Sequence, residues 1–167
     1  MTIKILQLEK YLTEFLSLDN FTSDPSQNGL QVQPGNTQIK KIALAVDANL
    51  LTVQKAVAWG ADLLMVHHGI FWHDSPLLIG RQYQLIKFLL DSGVGLYACH
   101  LPLDAHQEIG NNIVFAKKLA LEKLAPFDVG YWGQLESACS PHVLLDKCQL
   151  PAKQEVEIGR ASCRERV

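Results

Sequence analysis

The chain has 167 residues, a formal net charge of −2 and 48% hydrophobic residues, enough for one domain that buries about two-thirds of its unfolded surface without help from disulfides or metal. The charge balance offers no basic field to nucleic acid backbones. No run approaches the ~18 apolar residues of a membrane span, and charges interrupt the N-terminus too often for a signal peptide. Cysteines 99, 139, 148 and 163 form neither a C-x-x-C pair nor a disulfide framework, so a reducing compartment and a soluble, cytoplasmic protein are expected.

Ile5, Leu8, Leu12, Phe15 and Leu16 recur at helical spacing and predict an amphipathic opening helix that packs on a sheet. Residues 21–36 hold three turn signals, Asp24-Pro25, Asn28-Gly29 and Pro34-Gly35, around a short extended piece at 30–33, and read as a loop or edge-strand region. A regular pattern follows. The compact apolar run 42–46 predicts a strand, and Leu50, Val53, Ala56 and Val57 predict a helix over 49–59 closed by Gly60. A second cycle has a strand at 63–66, a loop through Pro76 and Gly80, and a helix over 82–91 stopped by Gly93. A third has a strand at 94–99, a loop through Pro102 and a helix from about Asn111 to Leu121.

Continuous apolar strands alternating with helices of this length predict an α/β fold, a mostly parallel sheet with helices on both faces. After Pro126 the order fades. Residues 131–135 read as a short strand or turn and 140–147 as the opening of a helix. The domain is expected over 1–155, with 156–167 an irregular tail whose lack of periodicity suits an appended or out-of-frame end.

Two histidine clusters carry the chemistry. His67-His68-Gly69 ends the apolar run 62–66, and His100-Leu-Pro-Leu-Asp104-Ala-His106 ends the run 94–99. Both fall at the carboxyl ends of strands, where open α/β sheets place their ligands. Imidazole nitrogens and carboxylate oxygens suit zinc, iron, manganese, nickel or cobalt, so a metal site is expected there. Adjacent histidines on a regular strand point to opposite faces; at a strand end beside Gly69 the backbone can turn, letting His67 and His68 reach two ions or making one of them an outer partner. Pro102 disfavours a helical Leu101, so His100 and Asp104 are expected to meet the site from a loop.

The plainer reading is a pair of hydrogen-bonded structural histidines. His106 stands between ligand, outer partner and loop residue, while His73 and His142 read as exposed. Phe71 and Trp72, with the Asn28-Gly29 turn, frame a planar heterocycle or serve as core or lid. No phosphate loop, dinucleotide fingerprint or nucleophile elbow is present, and a Cys99-His100 nucleophile pair is disfavoured by the apolar setting of Cys99.

Through Asn28-Gly-Leu-Gln-Val32, the segment 60–72 with its His-His-Gly, and His100-Leu-Pro-Leu-Asp-Ala-His106 followed by Gly110-Asn-Asn112, the chain resembles the type 2 GTP cyclohydrolase I family over residues 5–155. These dinuclear metal proteins are also described as Ngg1-interacting-factor-like. The resemblance implies two divalent ions, with His67 and Asp104 on one and His68 on the other. It also implies homohexamers and conversion of GTP and water to formate and dihydroneopterin triphosphate, beginning with hydroxide attack on C8 of guanine. His100 or His106 would then transfer protons. A His-x-x-x-Glu pair from the family's C-terminal half has no counterpart; His142 is followed at that spacing by Asp146, the shorter carboxylate. The chain is thus similar to an N-terminal portion. Two other functions remain open: a metal-dependent phosphoesterase, and a non-catalytic metal-binding interaction protein.

Overall fold

The helical stripe of Ile5, Leu8 and Leu12 becomes α1 (Ile5–Phe15), which follows the two-residue strand β1 (Ile3–Lys4) and buries all three side chains. In this computed structural model, which describes residues 2–74 and 76–148, β2 (Gly29–Val32), β3 (Gln38–Ile39), β4 (Ile42–Asp47), α2 (Leu50–Trp59) and β5 (Leu63–His68) come next. The chain goes on through α3 (Gly80–Ser92), β6 (Gly95–Ala98), α4 (Leu101–Ala105), α5 (Asn111–Lys118), β7 (Glu122–Phe127), β8 (Gly130–Gln134) and α6 (Pro141–Cys148). Local chemistry sets several of these ends. The Asn49 side chain accepts a hydrogen bond from Thr52 N at 3.0 Å to start α2, and Gly60 closes it in the left-handed region at φ 77°.

The central sheet has the order β2-β6-β5-β4, with β4–β5 and β5–β6 parallel and β2 antiparallel to β6. The fold is therefore α/β with a mostly parallel sheet, and the turn-rich region 21–36 supplies its antiparallel edge. Alternation along β5 and β6 sorts their side chains onto two faces. Leu64, Val66, Leu96 and Ala98 pack with Val53 and Ala56 of α2 and Leu85 and Leu89 of α3. Leu63, Tyr97 and Cys99 pack with Ile5, Leu8 and Leu12 of α1. With helices on both faces, residues 63–66 and 95–98 are buried apart from part-exposed Met65, which is why those runs are continuously apolar.

The other edge is open. Leu44 and Val46 of β4 are largely exposed, and beside them an apolar groove of ≈ 390 Å³, walled by Leu12, Phe15, Met65 and Leu103, reaches His67.

Three local expectations change. Residues 101–105 are not a loop but helix α4, with Pro102 in its first turn, where a missing N–H leaves no helical bond unmade. Leu101 N instead donates to the Asp24 carboxylate at 3.0 Å, an anchor from 77 residues away that offsets the conformational bias of a residue before proline. The helix expected to reach Leu121 ends at Lys118, since Ala120 turns back at φ 55°. Beyond it, β7 and β8 form an antiparallel hairpin that carries Pro126, a residue an isolated two-stranded ribbon tolerates. The tail at 156–167 lies outside the described residues. Among the described residues no helix is long and apolar enough to cross a membrane.

Candidate metal centre

Register in the sheet builds the site. In the β4–β5 ladder Asp47 stands opposite His68, and the His68 Nδ1–H donates to Asp47 Oδ1 at 2.7 Å. Just past β6, Cys99 N donates to Val66 O at 2.9 Å, which sets the Cys99 carbonyl 3.0 Å from His67 Nδ1. One residue on, His100 Nδ1 meets Asp24 Oδ1 at 2.8 Å. Carbonyl and carboxylate oxygens only accept, so each of the three imidazoles carries a proton on Nδ1, and its neutral form has the lone pair on Nε2.

Those three side chains converge. One nitrogen from each of His67, His68 and His100 lies within 4.8 Å of the others, with ring centroids 4.5 Å apart for His67–His68 and 5.0 Å for His67–His100. Asp104 of α4 joins from the far side, its Oδ2 3.6 Å from His67 Nε2 and its Oδ1 held by Asn111 Nδ2 at 2.9 Å. Three nitrogen donors of fixed tautomer beside a carboxylate form a donor set that fits a divalent transition metal, and an outer hydrogen bond on each imidazole is the usual way such ligands are aimed.

Burial holds the His67 imidazole below its ordinary value of 6.5; the rings of His68 and His100 push the same way, while Asp104 and the Cys99 carbonyl pull against them. Neutral His67 is the ligating form. Burial also pushes Asp24 up, but hydrogen bonds from Asn28, His100, Ser26 and Leu101 outweigh it and leave the carboxyl below its ordinary 3.8. Trp72 closes one wall, edge-on to His100 at 5.2 Å, with its indole N–H on the Gly69 carbonyl at 3.3 Å.

The profile of the Duf34/NIF3 (NGG1p interacting factor 3) family matches residues 3–164. The chain belongs to this family. Among curated NIF3 relatives, a GTP cyclohydrolase 1 type 2 homolog of Deinococcus radiodurans is 44% identical over 126 residues, covering 75% of this chain and 46% of the relative. One of Archaeoglobus fulgidus with the same name is 38% identical over 151 residues, 87% of this chain and 61% of its own. The chain spans about half the length of the curated relatives it matches. Among solved structures, protein ybgI, of unknown function, aligns with a TM-score of 0.80 at 34% identity over 88% of this chain and 60% of that one. TTHA1606 from Thermus thermophilus aligns at 0.72 and 41%, over 75% and 52%.

Of the residues singled out from the sequence, the fold brings His67, His68, His100 and Asp104 together. His106 is engaged elsewhere. Its Nε2 meets the Phe15 carbonyl at 3.2 Å, its Nδ1 accepts from Glu108 N and Ile109 N, and its ring packs on Phe15 at 4.7 Å. Sequence reasoning missed Asp24 and Asp47, the carboxylates behind His100 and His68. Asp24-Pro25 reads as a turn signal, and Asp47 lies just past the apolar run 42–46 with no sign of a role; only the partner each finds across the fold reveals its part.

Proposed function

We propose that this chain is the metal-binding half of a metal-dependent hydrolase acting on a nucleotide, with GTP cyclohydrolase I chemistry as its reaction. The carrying observation is the trio of imidazoles whose Nδ1 atoms are all hydrogen-bonded and of which one nitrogen each lies within 4.8 Å of the others, with Asp104 3.6 Å from His67 Nε2. The names of the curated relatives favour GTP as substrate. In this reading His67 and Asp104 hold one divalent ion and His68 a second, the two being zinc, iron, manganese, nickel or cobalt.

Bound there, the ions supply Lewis acidity and a water acidic enough to ionise near pH ~7. The chain's own residues do the rest. His100 Nε2, partly shielded from solvent, accepts a proton, and Asp24 behind Nδ1 stabilises the imidazolium that results. Trp72 walls the reacting face beside His100, and the apolar groove beside His67 gives it a nonpolar approach. His106, with both ring nitrogens engaged in backbone hydrogen bonds, stabilises the 106–109 turn instead. A cytoplasmic setting suits the free thiols of Cys99, Cys139 and Cys148, and homohexamer assembly belongs to the full-length protein.

Plasma mass spectrometry on the purified chain tests the site. Metal is expected in the wild type and lost in His67→Ala and Asp104→Ala. Incubation with GTP then separates the chemistries: formate supports the proposal, and release of phosphate in its place moves the chain to the phosphoesterases. Metal bound with neither product, in this chain and in a full-length family member alike, would sink GTP as substrate and favour a metal-binding interaction protein.

A further inference from the structure

Among the described residues Asp24 is the only buried charged side chain, with no exposed side-chain surface at all. A carboxylate there is costly unless every lone pair is used. Four donors converge on it. Oδ1 accepts from Ser26 N at 3.0 Å and His100 Nδ1 at 2.8 Å, and Oδ2 from Asn28 Nδ2 at 2.8 Å and Leu101 N at 3.0 Å. No lysine or arginine is among these partners. Asn28 completes the cradle by accepting His100 N–H on its Oδ1 at 2.7 Å.

The arrangement spends a buried charge on one imidazole. An uncharged amide at position 24 would present its NH₂ group either to Ser26 N and His100 Nδ1 or to Asn28 Nδ2 and Leu101 N, so at least one donor would face a donor. Only a carboxylate accepts all four. Its hold on His100 differs in kind from the other three, since a backbone N–H or an amide keeps its protons wherever it points, whereas an imidazole chooses which nitrogen to protonate.

We infer that Asp24 is a positioning residue that locks His100 as the Nδ1–H tautomer and so keeps the His100 Nε2 lone pair turned to the His67–His68 pair. This deepens the proposed function and rests on it for the use made of that lone pair; the tautomer itself stands apart from any activity. A purely architectural Asp24, tying residues 24–28 to the start of α4, would leave the His100 tautomer to chance.

Long-range ¹H–¹⁵N spectra of the metal-free chain above the pH of histidine titration read the tautomer directly. His100 is expected with a protonated Nδ1 and a bare, strongly deshielded Nε2. An Nε2–H form or an averaged pair of shifts in the wild type overturns the inference without any variant. In Asp24→Asn the His100 pattern is expected to shift toward Nε2–H while His67 and His68 keep theirs. A folded Asp24→Asn with unchanged His100 shifts also overturns it. Asn28→Ala loosens the same segment yet spares the Asp24–His100 bond, so its His100 tautomer is expected to match the wild type; a change there as large as in Asp24→Asn would return Asp24 to architecture. Should Asp24→Asn fail to fold, the wild-type and Asn28→Ala spectra decide. Absence of GTP turnover in a metal-loaded wild-type protein whose His100 carries the Nδ1 proton would refute the proposed function and leave this inference standing.

Discussion

Gly69, directly after the histidine pair, lies outside the left-handed region that glycine alone favours, so its missing side chain answers a need for space. A Cβ built there falls 2.3 Å from Gln31 Oε1 and 2.5 Å from Nε2, far inside contact distance. The Gln31 amide cannot step aside freely. It accepts from Ile70 N at 2.7 Å and Phe71 N at 3.3 Å, and donates to Gln27 O at 2.8 Å and Phe71 O at 3.2 Å, clamping the loop that leaves β5. At roughly 0.5–1.5 kcal/mol net per bond, with a further penalty for any buried N–H left unpaired, Gly69→Ala is expected to cost about 2–3 kcal/mol. For a chain of this length that lowers Tm by about 4–12 °C.

Urea unfolding of Gly69→Ala, Gln31→Ala and the double variant tests the cause. Gln31→Ala alone loses the clamp and costs a similar amount, but with the amide gone the new methyl has lost the atoms it would strike. The double variant is therefore expected to be about 1–2 kcal/mol more stable than the sum of the two singles predicts. Strict additivity would refute the steric argument and locate the need for Gly69 elsewhere.

The remaining expectations are simpler. Because the folded pKa of His67 lies below 6.5, the unfolded chain holds a proton the native one lacks between that lowered value and 6.5. Metal-free stability should thus rise with pH through that window and level off above it, as urea midpoints between about pH 5 and 8 would reveal; a wild-type slope no steeper than that of His67→Gln would count against it. Burial pushes the Cys99 thiol up to about 12, so iodoacetamide at about pH 8 should spare Cys99 in the native chain while labelling the part-exposed Cys139 and Cys148. Leu89, fully buried between α3 and the sheet, should cost about 2–5 kcal/mol as Leu89→Ala, whereas Leu44→Ala on the open edge should stay within about 0.5 kcal/mol. Equal losses in chemical denaturation would contradict the assigned packing.

The middle of the fold was legible in the sequence because burial on both faces leaves a simple mark, and runs such as 63–66 and 94–99 have few other uses. The histidine pairs were legible for a related reason: polar residues closing an apolar run must sit where a strand ends. What escaped depends on distant partners. Nothing near Pro102 announces a helix, since the donor-to-acceptor bond that seats Leu101 comes from Asp24. Asp24 itself reads only as part of a turn signal, because two of its four donors, His100 and Leu101, lie more than seventy residues away. The strands of the hairpin at 122–134 pair only with each other, with proline in one of them and exposed Phe127 and Trp132, so its periodicity is weak.

Because His67 and His68 end one strand and His100 lies two residues past its hydrogen-bonded neighbour, the sheet sets where the three backbones stand, and the acceptors on each Nδ1 aim the rings. Neighbouring strands stand about 4.8 Å apart whatever lies at their ends. The ladder acts as a ruler, and the ruler is made of backbone. An ion entering such a site has little folding left to drive, so ions of similar radius can exchange in place while the protein around them stays as it was. Metal identity at a site so built would follow supply and the affinity order of the metals rather than any rearrangement of the chain.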